Sequence, residues 1–385
     1  MPGPPAAVAH VRAAVRASLV AAGVADARTW RPGQTPAAGA ALVLVACSGG
    51  ADSLALAAAT AFVAPRLGLR AGVVVVDHGL QPGSAQVAAE AGAICRALGL
   101  DPVEVVAVSV GASAEGPEGA AREARYAALV ARARHLGAAA VLLGHTRDDQ
   151  AEQVLLGLVR GSGARSLAGM PPVRAFGGAV SNQSARSVGG GSNHSTRSVG
   201  GEGVLLVRPL LRTTRAQTAR ACADLGLTPW QDPHNDDPRF TRVRARRALA
   251  DLEADLGPGL AAGLARSADL LRDDADALDA VTEAAYLGLG DGPWEATEVL
   301  RHPRAVRTRL WRRLALVAGS PGTDLTAEHL LAVDALLTAW HGQGPVHLPG
   351  GVRAGRERGR VWLTGPGMST MGPRDVTDLS PDTEE

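Results

Sequence analysis

Residues 41–53, ALVLVACSGGADS, constrain the fold most, because an uncharged run stops at two glycines that are flanked by serines and followed by an acid. Seven residues without a charge suit a parallel strand buried on both faces, and the Ala/Leu-rich pattern of residues 54–62 predicts a helix. The turn between them then faces a helix N-terminus, where backbone N–H groups and the helix dipole favour an anion. The stretch predicts a phosphate site between a buried strand and a helix.

Six residues make up this candidate phosphate loop: Ser48, Gly49, Gly50, Ala51, Asp52 and Ser53. The glycines would let a phosphate approach the backbone, and the two serines would add hydroxyl donors. Asp52 could cap the helix or hold a metal ion on the phosphates. The alternative is an empty turn that only joins a strand to a helix.

Two better-known turns do not fit this loop. The chain contains no lysine, which excludes both the G-x-x-x-x-G-K-[ST] loop and Schiff-base chemistry. No glycine stands two residues before Ser48, so the turn is not a G-x-S-x-G nucleophile elbow. The SGGADS stretch instead resembles the signature of the PP-loop ATP pyrophosphatase superfamily. That resemblance implies transfer of AMP from ATP to a carbonyl oxygen, release of pyrophosphate, and ATP and Mg²⁺ as cofactors.

The pattern of elements predicts an α/β fold with a doubly wound parallel sheet. Buried strands at 71–76, 103–110 and 138–144 alternate with helices at 84–98 and 118–136. The resemblance implies a PP-loop sheet of the adenine nucleotide alpha hydrolase type, followed by a smaller helical domain. The predicted divisions are an N-terminal helix and linker at 1–39, a catalytic domain at 40–213, a helical tRNA-binding domain ending in a small hairpin at 214–365, and a disordered tail at 366–385. Residues 177–203, rich in Ser and Gly, are predicted to be a disordered insertion.

Polar residues follow two further predicted strands. Asp77 and His78 end the second, and the fourth runs into residues 145–153, HTRDDQAEQ. Ligands of such sheets bind outside the carboxyl ends of the strands, where the topology switches. His145 and Asp149 are four apart and would share one helical face, suited to Mg²⁺-bound phosphates or a reacting carbonyl. The alternative is a capping box between Thr146 and Asp149.

Three further motifs narrow the resemblance. The H-x-x-x-D-Q-x-E pattern of His145 to Glu152 is similar to the second signature of the tRNA(Ile)-lysidine synthetases, with Gln153 where threonine is usual. Arg122 to Tyr126 is similar to the family's Arg-x-x-Arg-Tyr helix. Residues 230–247 resemble its W-x-D-P-x-N-x-D…F-x-R-N-x-x-R segment, with Val243 where asparagine is usual.

The prediction of nucleic-acid binding depends on the arginines of this last segment. A net charge of +1 gives no global argument for a polyanionic partner, so only local clusters count. Five arginines fall within residues 239–247, which is either a solvated face or a phosphate-binding surface. The resemblance favours tRNA contacts. The predicted tRNA-binding residues are Arg160, Asn235, Arg242, Arg244 and Arg246.

The resemblance implies a specific activity. ATP would adenylate the C2 oxygen of the wobble cytidine of tRNA(Ile) with a CAU anticodon, and free L-lysine would displace AMP to give lysidine. The implied catalytic residues are Asp52, His145, Asp149 and Arg122. Asp77 and His78 would join the loop in binding ATP, and Asp52 and Asp149 would hold Mg²⁺.

Other functions stay open at this level. A tRNA thiolase on the same domain would normally carry CxxC pairs, whereas only three widely separated cysteines occur. Small-molecule ligases of the superfamily, or an inactive RNA-binding protein, are further alternatives. Few cysteines, no export signal and no apolar run near the ~20 residues that span a bilayer predict a cytoplasmic chain without a membrane partner. A homodimer is possible.

Overall fold

The computed structural model describes residues 3–29, 33, 35–79, 81, 83–109, 116–161, 163–176, 203–233 and 237–366, without the side chains of 116–118. They separate into two compact units, with the division inside one long helix between Asp273 and Asp274. The predicted domain boundary at residue 213 is a division by sequence character and stays a prediction. All but the last residue of the predicted insertion and all but the first residue of the predicted tail lie outside the described residues.

The first unit contains a six-stranded sheet and nine of the helices among the described residues, the last of them shared with the second unit. Its strands are β1 (Leu42–Cys47), β2 (Arg70–Asp77), β3 (Val103–Ala107), β4 (Ala138–Leu143), β5 (Val173–Phe176) and β6 (Val204–Val207). Its helices are α1 (Ala6–Ala21), α2 (Ala51–Arg66), α3 (Ser84–Ala97), α4 (Gly116–His135), α5 (Arg147–Val159), α6 (Ala164–Leu167), α7 (Arg215–Asp224), α8 (Thr241–Leu256) and α9 (Leu260–Leu289).

The sheet has the order β3-β2-β1-β4-β6-β5. All neighbours pair in parallel except β5, which pairs antiparallel with β6. The chain fills one side of β1 with β2 and β3 and then crosses to the other side with β4. A crevice therefore opens between the carboxyl ends of β1 and β4, which is where such sheets bind ligands.

The sheet is covered on both faces because β1 is apolar at every position. Val43, Val45 and Cys47 join a core with buried residues of α1, α2, α3 and α7. The alternate residues Leu42 and Leu44 join a second core that includes buried residues of α4. The six residues of β1 are all buried, as expected for the central strand of a doubly wound sheet. The predicted fold class is confirmed, although β3 ends at Ala107 rather than at residue 110.

The second unit combines helices with a four-stranded antiparallel sheet of order β7-β10-β9-β8. Its elements are the end of α9, β7 (Trp294–Glu295), α10 (Ala296–Leu300), α11 (Arg304–Val317), α12 (Ala327–Thr338), β8 (Val346–His347), β9 (Arg353–Glu357) and β10 (Arg360–Thr364). The predicted hairpin is β9–β10, and its two-residue turn has positive φ at Arg358 and Gly359, the geometry of a tight hairpin turn. β7 and β8 extend it into a sheet, which the sequence reading did not predict.

Buried Asp334 organises the core of this unit. Its carboxylate accepts two hydrogen bonds of 2.8 Å from Arg307 and one of 3.1 Å from the indole of fully buried Trp311. Burial alone would raise the pKa of Asp334, but these donors lower it, so the carboxylate is ionised and α11 and α12 are held together.

Candidate active site at the switch point of the sheet

The candidate phosphate loop folds around the hydroxyl of Ser53. This oxygen accepts a hydrogen bond from the Ser48 N–H (3.1 Å) and donates one to the Gly50 carbonyl (2.9 Å). The loop is thereby closed on itself. Gly50 precedes α2 without a side-chain cap, so the first N–H groups of the helix have no side-chain acceptor. An anion is the natural partner for such groups.

Gly49 is the position in the loop where glycine is required. Its φ is +83°, and an added Cβ would lie 3.4 Å from the Ala91 Cβ and 3.7 Å from the Trp230 Cβ. The Gly49 carbonyl also accepts a 3.0 Å hydrogen bond from the Trp230 N–H. The segment after α7 therefore fixes the loop from outside. Gly50, by contrast, has a φ of −71°.

A cavity of about 390 Å³ opens beside this loop. Ser48 and Gly50 line it together with Asp77 and His78, so four of the eight predicted nucleotide-binding residues share one pocket. The Asp77 carboxylate accepts a 2.9 Å bond from the Gly79 N–H, which fixes the turn after β2. His78 Nδ1 is buried and has no hydrogen-bond partner in the part of the chain that the structure describes, and burial, followed by the charge of Arg125, lowers the pKa of this imidazole.

Arg125 of α4 also lines this cavity and makes no ion pair with a described residue. Arg122, predicted as catalytic, does not line it. The Arg122 guanidinium is exposed and lies 5.2 Å from the ring centroid of Tyr126. Of the two arginines in the predicted Arg-x-x-Arg-Tyr motif, Arg125 is thus the one that faces the nucleotide-sized pocket.

The end of β4 carries the capping box that the sequence reading weighed as an alternative. The Asp149 N–H donates to the Thr146 hydroxyl at 3.4 Å, and Asp149 Oδ2 accepts from the Thr146 N–H at 2.7 Å. The same oxygen accepts from the Thr146 hydroxyl at 2.9 Å. Capping uses only one carboxylate oxygen of Asp149, and the other, Oδ1, bonds Arg215.

Arg215, the first residue of α7, joins the two halves of the site. Its guanidinium bonds Asp149 and lies 2.9 Å from Glu152 Oε1, and its Nε is 3.9 Å from Asp52 Oδ2. The Arg215 N–H donates to Asp148 at 3.0 Å. Thr218, one turn further along α7, donates its hydroxyl proton to Asp52 Oδ1. The predicted residues Asp52 and Asp149 are therefore brought together by a residue that was not predicted.

The two acids differ in their electrostatics. Burial is the largest effect on Asp52, and with the nearby charge of Asp149 it raises the pKa of Asp52 to about 6, against the pull of Thr218 and Arg215. Burial also opposes ionisation of Asp149, but Arg215 and the Thr146 donors outweigh it and lower the pKa of Asp149. Asp149 is a fixed anion, whereas Asp52 is ionised at neutral pH but has a pKa only about one unit below it.

His145 lies in a positive environment. Its pKa falls to about 3, first because it is buried and then because Arg208, Arg125 and Arg122 repel a positive charge, while Asp149 pulls the other way. His145 Nδ1 has no hydrogen-bond partner among the described residues. The imidazole is therefore neutral at physiological pH, and its unpartnered nitrogen is free to bond a substrate.

The predicted metal ligands fit Mg²⁺ unequally. Both oxygens of Asp149 are engaged, whereas the one contact of Asp52 Oδ2 with a described charged side chain is the long one to Arg215. The described part of the chain contains no cluster of three or more His, Cys, Asp or Glu side chains that could hold a metal ion. This donor set suits an ion held by one carboxylate and by substrate phosphates, which is a common mode for Mg²⁺.

The basic segment lies mostly on α8, where its arginines differ in their contacts. Arg246 Nε bonds buried Glu152 Oε1 at 3.0 Å, so Arg246 shares that carboxylate with Arg215. Arg244 is exposed and bonds the carbonyls of Pro238 and Arg239. Arg242 is half-buried on the same side of α8 as Arg246.

Three other predictions concern single positions. Val243, where asparagine is usual, is buried in the packing of α8. Arg160 is exposed at the end of α5. Asn235 lies outside the described residues.

The predicted site residues did not include Arg215, nor Arg125 and Trp230, although the last two lie in recognised motifs. A local signal existed for Arg215, since Thr214 and Gln217 form a capping-box pair at the start of the helix that follows β6. That pair places residue 215 at the carboxyl edge of the sheet. For Trp230 the only signal was the motif itself.

No helix among the described residues is both long enough and apolar enough to cross a bilayer.

Comparisons with known proteins identify the family of the chain. A family described as a PP-loop domain matches residues 28–253, and one described as the TilS substrate binding domain matches residues 296–362. The chain is 52% identical over 364 residues to the tRNA(Ile)-lysidine synthase of Thermobifida fusca, a match that covers 94% of this chain and 98% of that protein. It is 53% identical over 323 residues to the tRNA(Ile)-lysidine synthase of Streptomyces coelicolor, covering 83% of this chain and 84% of that protein.

A solved structure of the U34-tRNA thiolase NcsA from Methanococcus maripaludis, with its 4Fe-4S cluster, aligns with a TM-score of 0.49 and 16% identity, over 69% of this chain and 80% of that one. The family assignment depends on the sequence relatives. With about half of its residues identical to theirs over most of its length, and with a PP-loop domain that spans residues 28–253, the chain belongs to the tRNA(Ile)-lysidine synthase family.

Proposed function

We propose that the chain is an ATP-dependent ligase that joins free L-lysine to the wobble cytidine of tRNA(Ile) with a CAU anticodon. In the first step the C2 oxygen of cytidine attacks the α-phosphorus of ATP, and the bond to pyrophosphate breaks. In the second step the ε-amine of lysine attacks C2, and AMP leaves with that oxygen. The products are lysidine, AMP and pyrophosphate.

One observation supports this proposal most directly. The phosphate loop and the β4 end flank a single crevice, and Arg215 links Asp52 of the loop region to Asp149 of the β4 end. An adenylating enzyme has to hold ATP phosphates beside the group they activate. The arrangement supplies a phosphate-binding turn on one side and a set of oriented polar side chains on the other.

ATP would bind along the cavity beside the loop. Phosphates would approach the N–H groups of Ser48 to Ser53 at the start of α2, and the nucleoside would lie towards Asp77 and His78. Arg125, which lines the same cavity and makes no ion pair with a described residue, would offset negative charge on the nucleotide.

Mg²⁺ would be held by Asp52 together with the ATP phosphates, with Asp149 as the second predicted ligand. When bound, it would supply charge neutralisation for the leaving pyrophosphate. Asp52 has to be ionised for this role. Its pKa of about 6 satisfies that requirement at neutral pH.

His145 and Asp149 would orient the reacting groups. A neutral imidazole with an unpartnered Nδ1 can accept or donate one hydrogen bond without bringing a charge into the site. Asp149, fixed by Thr146 and Arg215, would present a steady negative charge to the lysine amine. Arg160, Asn235, Arg242, Arg244 and Arg246 remain the predicted tRNA contacts, and Arg122 a predicted catalytic residue.

An assay of two products, lysidine and AMP, tests the proposal. The purified chain, ATP, Mg²⁺, labelled lysine and the tRNA should give lysine incorporation and AMP in equal amounts, and none without ATP. A thiolase would form AMP with a sulfur donor and ignore lysine, and a small-molecule ligase would not need tRNA. We also propose action in the cytoplasm. A homodimer stays a prediction.

A further inference from the structure

A second cavity, of about 430 Å³, lies apart from the nucleotide pocket and shares no residue with it. Its walls come from the start of α5, the connection between β6 and α7, and the first half of α9. The lining residues include three arginines and one acid: Arg147, Arg212, Arg266 and Asp269. All of these belong to the first unit.

The single acid does not neutralise this cluster. Asp269 Oδ1 accepts a 2.8 Å bond from Arg272, and its Oδ2 lies 3.3 Å from Arg212 Nη2. One carboxylate is therefore shared by two guanidinium groups. Arg147 and Arg266 make no ion pair with any residue that the structure describes. Three lining arginines face one lining carboxylate, which Arg272 also neutralises from outside the lining, so the cavity has a net positive charge.

One donor in this cavity is buried and unused. Arg147 Nε has no hydrogen-bond partner among the described residues. A buried N–H that lost its water costs free energy unless a ligand or solvent accepts from it. The backbone at this point is fixed, because the Arg147 N–H donates to the Thr213 carbonyl at 2.9 Å. The geometry therefore provides a held donor next to two other guanidinium groups.

We propose that this cavity binds a backbone phosphate of the tRNA substrate; the inference rests on the proposed function. Guanidinium groups match phosphate oxygens in pairs, and phosphate contacts position a nucleic acid without reading its sequence. The lining residues include no aromatic side chain on which a base could stack. Arg147 is two residues from His145, so a phosphate held here would lie near the nucleotide that reacts.

Free phosphates are the competing source of the same chemistry. ATP and pyrophosphate have their own place at the phosphate loop, whose cavity is lined by different residues. An RNA strand, in contrast, carries phosphates at regular intervals and can occupy both regions at once. The experiment has to separate these two sources.

The test compares two double variants. Arg212→Gln with Arg266→Gln removes two exposed guanidinium groups of the cavity. The control, Arg96→Gln with Arg220→Gln, removes two exposed ones from α3 and α7 outside it. Both double variants keep Arg147 and Asp269. Circular dichroism with thermal unfolding checks that each variant folds. The readouts are tRNA affinity across a salt series and calorimetric binding of pyrophosphate alone.

The cavity variant is expected to flatten the plot of log affinity against log salt by about one unit, the value for one phosphate contact, with unchanged pyrophosphate affinity. The control should keep the wild-type slope. A wild-type slope in the cavity variant, or loss of pyrophosphate affinity with the tRNA slope kept, would overturn the inference. If the wild-type chain neither binds tRNA nor forms lysidine, the proposed function itself fails, which is a separate result.

Discussion

Arg215 Nη1 lies 2.9 Å from Oε1 of Glu152, a carboxylate with 4% of its side chain exposed. Arg246 reaches the same oxygen from α8 at 3.0 Å. Glu152 therefore connects the helix that follows β4 with both α7 and α8. The predicted tRNA-binding arginine Arg246 has a structural contact, and any tRNA role has to be separated from it.

Arg246→Ala is expected to lower the free energy of unfolding by about 1–2 kcal/mol. This is below the roughly 3–5 kcal/mol of a fully buried pair, because Arg246 is partly exposed and Glu152 keeps Arg215. Arg244→Gln, at an exposed position on the same helix, should change stability by less than about 0.5 kcal/mol. Urea unfolding of both variants measures the difference. Equal stabilities would mean that the Glu152 contact contributes nothing.

Asp52→Asn is expected to stabilise the chain and end AMP formation. The folded carboxyl, with a pKa of about 6, keeps a proton that the unfolded one releases near 3.8, so wild-type stability falls as pH rises between these values. Asparagine has no such proton. The variant should be more stable than wild type by about 1–3 kcal/mol above pH 6, and by less near pH 4. A stability difference that does not change with pH would contradict the raised pKa.

Gly49→Ala and Gly50→Ala form a matched pair in the phosphate loop. At Gly49 the added methyl group would contact Ala91, and alanine would have to adopt a φ of +83°. Together these should lower the free energy of unfolding by about 1–2 kcal/mol and disturb the proposed ATP site. At Gly50 the nearest atom is the Ser48 hydroxyl at 3.7 Å, and φ is ordinary. Thermal unfolding should separate the two variants. If Gly50→Ala proves the less stable protein, the loop has another conformation.

Arg125→Gln and Arg122→Gln test which arginine of α4 acts on ATP. Arg125 lines the cavity proposed for ATP, so its loss should raise the KM for ATP about tenfold or more, as expected for one charge-assisted hydrogen bond. Arg122 is exposed, and its replacement should leave that KM unchanged. A fall in kcat alone for Arg122→Gln would support its predicted catalytic role. A raised KM for ATP in Arg122→Gln but not in Arg125→Gln would reverse the assignment.

The sequence alone predicted the features that depend on residues adjacent in the chain. The run from Leu42 to Cys47 and the two glycines after it specify a buried strand and a turn by local chemistry, and the structure contains both. The meeting of the loop with the β4 end also followed, because parallel strands share one carboxyl edge. In the second unit the β9–β10 turn also had a local signal, because Gly359 occupies a position of positive φ.

Contacts between distant segments could not be predicted in this way. Arg215 is separated from Asp52 by most of the first unit, and their contact requires α7 to pack beside α2. The choice between Arg122 and Arg125 depends on the rotation of α4 about its axis. The sequence of this charged helix does not distinguish the two positions. The β7 and β8 strands are two residues long, too short for a pattern of alternation.

The most direct measurement of the central claim is the stoichiometry of a single reaction. Purified chain, labelled lysine, ATP, Mg²⁺ and a tRNA(Ile) transcript with a CAU anticodon should yield one lysine bound to the wobble cytidine for each AMP released. The Asp52→Asn variant should yield neither product. AMP release without lysine in the tRNA, or equal lysine incorporation by Asp52→Asn, would contradict the account.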